Sequence, residues 1–257
     1  MLMALMLGLL TVPGGKNSSL AKENGYVINL DRAEKLEKMT YSSLFSKAGI
    51  IVLEDTDESL LGKVDKLEVC DNNLYVLEKG RGLFLFNKQG KFIKMIGRKG
   101  KGPGEYIDPD DISIDRENKK IYVLDSQTQN VLKYSSNGTF ESSFKLENKG
   151  TRSTFIQPFK NALYTNLYTF DESGKRFLLS KVDVTNGKRI SFQFEASQYN
   201  KGWNELFSTN QHTFISGPTG NPKFMQIFMD TIFEITPKGI KPYITCLLYT
   251  SDAADEL

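Results

Sequence analysis

The chain has 257 residues, a net charge of +2 and a hydrophobic fraction of 39%. That is enough for one domain or part of one, and too little positive charge to mark a nucleic-acid binder. A single histidine, His212, excludes a multi-histidine zinc site within this sequence; any Ser-His-Asp triad would have to use it, and Asn210, Gln211 and Thr213 around it form no nucleophile motif.

In chain order, Met1 to Val12 (MLMALMLGLLTV) is a continuous apolar run, too short to span a membrane as a helix. It matches the apolar core of a signal peptide with Val12-Pro13-Gly14 as a cleavage context, although no Lys or Arg precedes it and no cysteine follows it for lipid attachment. Residues 1–14 are therefore read as a signal peptide and 15–24 as a linker. The protein is expected to be exported, to the periplasm or the cell surface, with no transmembrane segment. Val27-Ile28-Asn29-Leu30 is a candidate closing strand, residues 42–48 a helical or irregular link, and Ile50-Ile51-Val52-Leu53 is expected to open the first repeat.

The repeat is visible in turn glycines. Gly90, Gly138, Gly187 and Gly239 lie 48, 49 and 52 residues apart, each between two short apolar strands. A further strand precedes each hairpin: Leu74 to Leu77, Ile121 to Leu124, Leu163-Tyr164 and Met225 to Phe228. Short strands with turn signals at this blade-sized period predict an all-β fold, a β-propeller of about four blades. Cys70, within Leu67-Glu68-Val69-Cys70, is expected in the core, where a lone thiol makes no internal disulfide.

Between the first two repeats stands Ile96 to Tyr106 (IGRKGKGPGEY). Gly97, Gly100, Gly102 and Gly104 with Arg98, Lys99 and Lys101 look like a phosphate loop, but no helix follows and no Gly-Lys-Ser/Thr occurs. A blade-to-blade connection with positive-φ glycines is the favoured reading, with Arg98 and Lys101 kept as candidate ligand-binding residues on a rim. Asp108, Asp110 and Asp111 cluster with Asp115 around Pro109; they are candidates for Ca²⁺, without the Asp-x-Asp-x-Asp-Gly spacing, and turn capping is the alternative. Tyr199, Trp203 and Phe207 in QYNKGWNELF are candidate sugar-stacking residues, and Glu195 with Glu205 a weaker candidate for a glycosidase pair.

Cys246 to Glu256 (CLLYTSDAADE) back-translates to a sequence resembling a transposon-derived library adapter, so residues 246–257 are read as an artefact and 25–245 as a partial propeller. This tail holds three acids and no base, so the charge without it is +5.

Glycine loop, G-P-G-[EQ]-[FY], proline, strand, Ile121 to Asp125 (IYVLD) and Asn137-Gly138 together resemble the NHL repeat. With VINL near residue 27, TDESLLG at 56–62, FNKQG at 86–90 and DTIFEI at 230–235, the chain resembles a family of secreted six-bladed propellers of gut Bacteroidetes. That resemblance implies an incomplete propeller of NHL-like blades from a six-bladed parent, with about two further blades, and supplies no catalytic residues. The leading expectation is an exported, non-enzymatic binding or scaffold protein whose ligand is a glycan or an envelope protein partner. The alternative is a metal-dependent propeller lyase or lactonase, marked by a ring of inward-facing Asp, Glu, Asn or His near the axis.

Overall fold

A computed structural model describes residues 4–10, 25–29, 38–147, 150–168, 173–199, 212–217, 220–227 and 229–247. Its first elements are β1 (Ala4–Leu10), β2 (Tyr26–Asn29), a one-turn helix (Tyr41–Leu44) and β3 (Phe45–Val52). Four sheets of four chain-ordered strands follow. Blade one holds β4 (Lys66–Cys70), β5 (Asn73–Glu78), β6 (Gly82–Asn87) and β7 (Phe92–Ile96). A parallel pair of two-residue strands, β8 (Arg98–Lys99) and β9 (Glu105–Tyr106), leads to blade two: β10 (Pro109–Asp115), β11 (Lys120–Asp125), β12 (Asn130–Ser135) and β13 (Phe140–Lys145).

Blade three is β14 (Ile156–Phe159), β15 (Ala162–Asn166), β16 (Phe177–Asp183) and β17 (Arg189–Glu195). Blade four is β18 (Phe214–Ile215), β19 (Lys223–Phe224), β20 (Thr231–Thr236) and β21 (Gly239–Leu247). Every blade is an antiparallel meander in chain order, and the four are arranged as a β-propeller with all-β content as expected.

The blades stack face to face, so their middle strands are buried on both sides and read as continuous apolar runs. In β11, Ile121 and Val123 pack towards blade one with Leu83, Leu85 and Ile96. Tyr122 and Leu124 pack the other way, with Ile156, Leu163 and Val182 of blade three. The third interface joins Tyr164 and Leu179 to Phe224 and Ile235. Cys70 is buried, as its strand position requires, and burial raises its thiol pKa.

All four turn glycines have positive φ: 85° at Gly90, 80° at Gly138, 76° at Gly187 and 139° at Gly239. Two also carry a backbone contact that forbids a side chain. A Cβ on Gly187 would lie 1.9 Å from the carbonyl oxygen of Lys145, and one on Gly90 would lie 1.9 Å from that of Val52. The hydrogen bonds around these two turns match as well. Glu147 donates its amide to Gly187 O (2.9 Å) and its carboxylate accepts from Arg189 N (2.9 Å). Glu54 donates to Gly90 O (2.8 Å) and its carboxylate accepts from Phe92 N (2.9 Å). The end of β3 thus meets blade one as the end of β13 meets blade three.

This corrects the expectation that Ile50 to Leu53 opens the first blade. Ile50 to Val52 end β3, which pairs along its length with β1 (Ala4 opposite Val52). The blade itself begins at Lys66. The intervening segment is a turn stapled by Ser59, whose hydroxyl donates to Glu54 O (2.7 Å) and accepts from Thr56 N (2.9 Å). Leu53 and Leu61 pack on the face of blade one that carries Leu74, Val76, Phe84 and Phe86, opposite the face turned to blade two.

A second correction concerns blade four. Its second strand is Lys223–Phe224 rather than Met225 onwards, because Met225 turns away to donate its amide to Thr213 O. The candidate closing strand does enter the last sheet: β2 lies parallel to β21, with Tyr26 opposite Ile244 and Asn29 opposite Leu247.

Candidate functional site: the axis and the glycine loop

The inner strands β4, β10, β14 and β18 converge on the axis, and their polar side chains meet there. Asp111 is fully buried. One carboxylate oxygen accepts from Lys66 Nζ (2.7 Å) and the other from Ile156 N (2.8 Å), so this one side chain ties blades one, two and three together. Glu68 lies 3.9 Å from Lys66 Nζ and accepts from Arg116 Nη2 at 3.2 Å; Arg116 also donates to Val69 O. Burial pushes the Glu68 carboxyl up from its ordinary value, and Lys66 and Arg116 pull it back. His212 sets its ring 4.9 Å from that of Phe155. Its pKa is lowered, first by desolvation and then by Lys66.

Two clefts open along this channel. One, of 380 Å³, is lined by Asp65, Lys66, Glu68, Gln157, His212 and Ser216. The other, of 310 Å³, is lined by Arg116, Glu117, Gln157, Lys160, Ser216 and Asn221. They share Gln157 and Ser216, and Lys160 there pairs with Glu117 (2.8 Å).

The acidic cluster does not act as one unit. A β-bulge in β10 between Pro109 and Asp111 turns consecutive carboxylates to different partners. Asp111 takes Lys66, and Asp110 takes Lys79 (3.4 Å). Burial raises the pKa of Asp110, Lys79 opposes this, and Asp108 contributes only a further raising charge. Among the described residues, no three His, Cys, Asp or Glu side chains gather as metal ligands. Axial carboxylates are therefore present, as the alternative enzymatic reading required, but Asp111 and Glu68 are each held by a cation.

The glycine loop is a joint between blades. Gly97 and Gly104 have φ of 68° and 72°. At Gly97 a Cβ would lie 2.6 Å from both the Tyr106 ring and the Tyr134 hydroxyl. Gly100 and Gly102 stay small for another reason: the Glu105 carboxylate fills the loop, accepting from Gly102 N (2.9 Å) and Arg98 Nε (2.6 Å). The amide of Gly102, then Arg98, hold the Glu105 carboxyl below its ordinary pKa. The loop's anion site is thus occupied by its own side chain, and Arg98 is committed to it, while Lys101 extends into solvent beside a separate cleft.

Tyr106 completes the joint. Its buried hydroxyl donates to Ile96 O (3.0 Å) and accepts from Leu83 N (3.1 Å), both in blade one. Tyr106→Phe leaves a buried amide and carbonyl without this partner, and should cost about 1–3 kcal/mol. A guanidinium midpoint unchanged from the native protein would show that the joint does not depend on it.

Sequence reading missed the acceptor that ends the second strand in each of the first three blades. Asp125 accepts from Ile107 N (2.7 Å) and Thr128 N (3.1 Å). Asn166 accepts from Thr154 N (2.9 Å) and Phe155 N (2.7 Å), and Glu78 accepts from Gly62 N (3.3 Å). The signal was present as an acceptor side chain, Glu, Asp or Asn, directly after LYVL, IYVL and LYT. It missed Arg189 too, buried between blades two and three. Its guanidinium reaches Glu147 O (3.0 Å), Thr165 Oγ1 (3.1 Å) and Ser180 Oγ, and desolvation lowers its pKa to about 10.

Of the aromatic candidates, Tyr199 packs edge-on against Phe194 (5.9 Å), next to Phe224 and Phe233. Phe194 has φ of 58°, a strained state for a bulky residue, which this aromatic packing retains. Trp203, Phe207 and Glu205 lie outside the described residues, as does the tail from residue 248; Cys246 and Leu247 continue β21. No described helix is long and apolar enough to cross a membrane.

Among solved structures, a Bacteroides fragilis NCTC 9343 protein named as exported matches with a TM-score of 0.60 and 22% identity, over 77% of this chain and 54% of its own. This chain therefore spans about half the length of that protein. A member of the duf4221 family from Bacteroides vulgatus ATCC 8482 matches at 0.47 and 9%, over 71% of this chain and 57% of its own. The glutaminyl cyclase of Myxococcus xanthus matches at 0.45 and 11%, over 86% and 90%. The first of these shares its fold with this chain over the aligned part. No curated protein matches the sequence. The model of the family described as a domain of unknown function (DUF4934) matches residues 25–248, the whole bladed region, and the chain belongs to that family.

Proposed function

We propose that this is an exported, non-enzymatic propeller that binds a glycan or an envelope protein partner where the inner strands converge. The observation that carries the reading is the pairing at the axis. Asp111 is bound by Lys66 and a backbone amide, and Glu68 by Arg116, so neither is poised as a general base. Beside these pairs lie two clefts whose linings mix apolar surface with hydrogen-bond donors and acceptors, suited to recognition. Export is supported by the name of the B. fragilis protein and by the signal-like composition of residues 1–12, whose pairing as β1 with β3 would belong to the chain before cleavage.

The test is calorimetric titration with purified envelope polysaccharides. Gln157→Ala and Asn221→Ala should each weaken binding about tenfold without unfolding, and Trp203→Ala should do so if the aromatic segment contributes. Unchanged affinity in both the Gln157 and Asn221 variants would remove the channel as the site, and cleavage of the polysaccharide would overturn the non-enzymatic reading.

A further inference from the structure

Away from the axis, a cleft of 720 Å³ lies between the glycine loop and the outer strands of blade two. That volume falls within the ~300–1,000 Å³ of small-molecule sites. Its walls are unlike the channel. Lys101 and Lys145 are exposed and line it from opposite sides, one from the loop and one from β13. Among the described residues neither ammonium has an ion-pair partner. Two carboxylates also line the cleft and both are engaged elsewhere: Glu105 by Arg98 and the Gly102 amide, Asp125 by the amides of Ile107 and Thr128.

Asn130, the cross-strand partner of Lys145, and Ser143, two residues before Lys145 on the same strand face, also line the cleft, an amide and a hydroxyl. Phe140 supplies one apolar face, its ring braced against Tyr134 at 5.7 Å.

We infer that this cleft binds an acidic sugar: a carboxylate on Lys101 and Lys145, ring hydroxyls on Asn130 and Ser143, and the C–H face on Phe140. The combination separates this class from its neighbours. A bare phosphate would use the lysines and leave the ring contact and the hydroxyl donors idle; a neutral sugar would leave two unpaired ammonium groups. The site is distinct from the channel and stands or falls independently of it.

The test is titration of the full chain with glucuronic acid, glucose and inorganic phosphate, followed by amide chemical shifts. Glucuronic acid should bind saturably, about tenfold or more tighter than either other probe, with shifts at Asn130 and Ser143. Lys101→Gln and Lys145→Gln should each weaken it about tenfold, and neither exposed substitution should alter the fold. Equal binding of phosphate would overturn the sugar assignment. Undiminished binding in both lysine variants, or loss only on Lys160→Gln in the channel, would overturn the site while leaving the channel reading intact.

Discussion

Gly187→Ala should destabilise the protein by about 4 kcal/mol, and Gly90→Ala by a similar amount. The left-handed conformation alone costs a non-glycine residue about 1–2 kcal/mol. At Gly187 the added Cβ also falls 1.9 Å from Lys145 O, so the incoming chain must move, and the 2.9 Å bond from Glu147 N to Gly187 O goes with it. Losing that bond and the packing around it adds about 2 kcal/mol or more. Gly80 is the control. Its φ is 81°, yet nothing lies within 4 Å of the point a Cβ would occupy. Gly80→Ala should therefore cost only the conformational share, about 1–2 kcal/mol. Urea midpoints for the three variants separate the two effects; equal shifts would mean that the close approach at the blade turns contributes nothing.

The second large effect is expected at Asp111. Asp111→Ala removes the carboxylate 2.7 Å from the Lys66 ammonium and orphans the Ile156 amide. The expected cost is about 3–5 kcal/mol. The neighbouring pair shows the role of burial. Asp110 and Lys79 are 22% and 33% exposed and 3.4 Å apart, so Asp110→Ala should cost about 1 kcal/mol or less. A double variant, Lys66→Met with Asp111→Leu, should recover most of the loss, because an apolar pair carries no desolvation penalty. If the double variant were as unstable as Asp111→Ala, the damage would lie in the Ile156 amide and the bulge rather than in the stranded charge. Adjacent residues of one acidic run thus differ several-fold in expected effect, and the bulge in β10 is the cause.

Local chemistry made much of this fold readable in sequence. A turn that needs positive φ selects glycine, so Gly90, Gly138, Gly187 and Gly239 report the blade period without knowledge of any contact. Strands buried on both faces must be apolar throughout, so Leu74 to Leu77 and Ile121 to Leu124 identify the blade centres. The glycine loop was legible as a connection for the same reason, its Gly97 and Gly104 being turn residues of the same kind.

Only tertiary structure decided what the polar residues do. Asp108, Asp110 and Asp111 read as one cluster because sequence records proximity along the chain; the bulge separates them, and Lys66 comes from 45 residues away. Arg98 and Lys101 read alike as rim cations, but Glu105 captures one and leaves the other facing the cleft. Ile50 to Leu53 has the pattern of a blade strand, and the pattern is correct for a strand; which sheet it joins depends on its pairing with β1 and on the hydrogen bond from Glu54 to the turn at Gly90. Backbone conformation is a property of a few adjacent residues and is written locally, whereas ion pairing and strand partnership are settled by residues far apart in sequence that the stacked blades bring together.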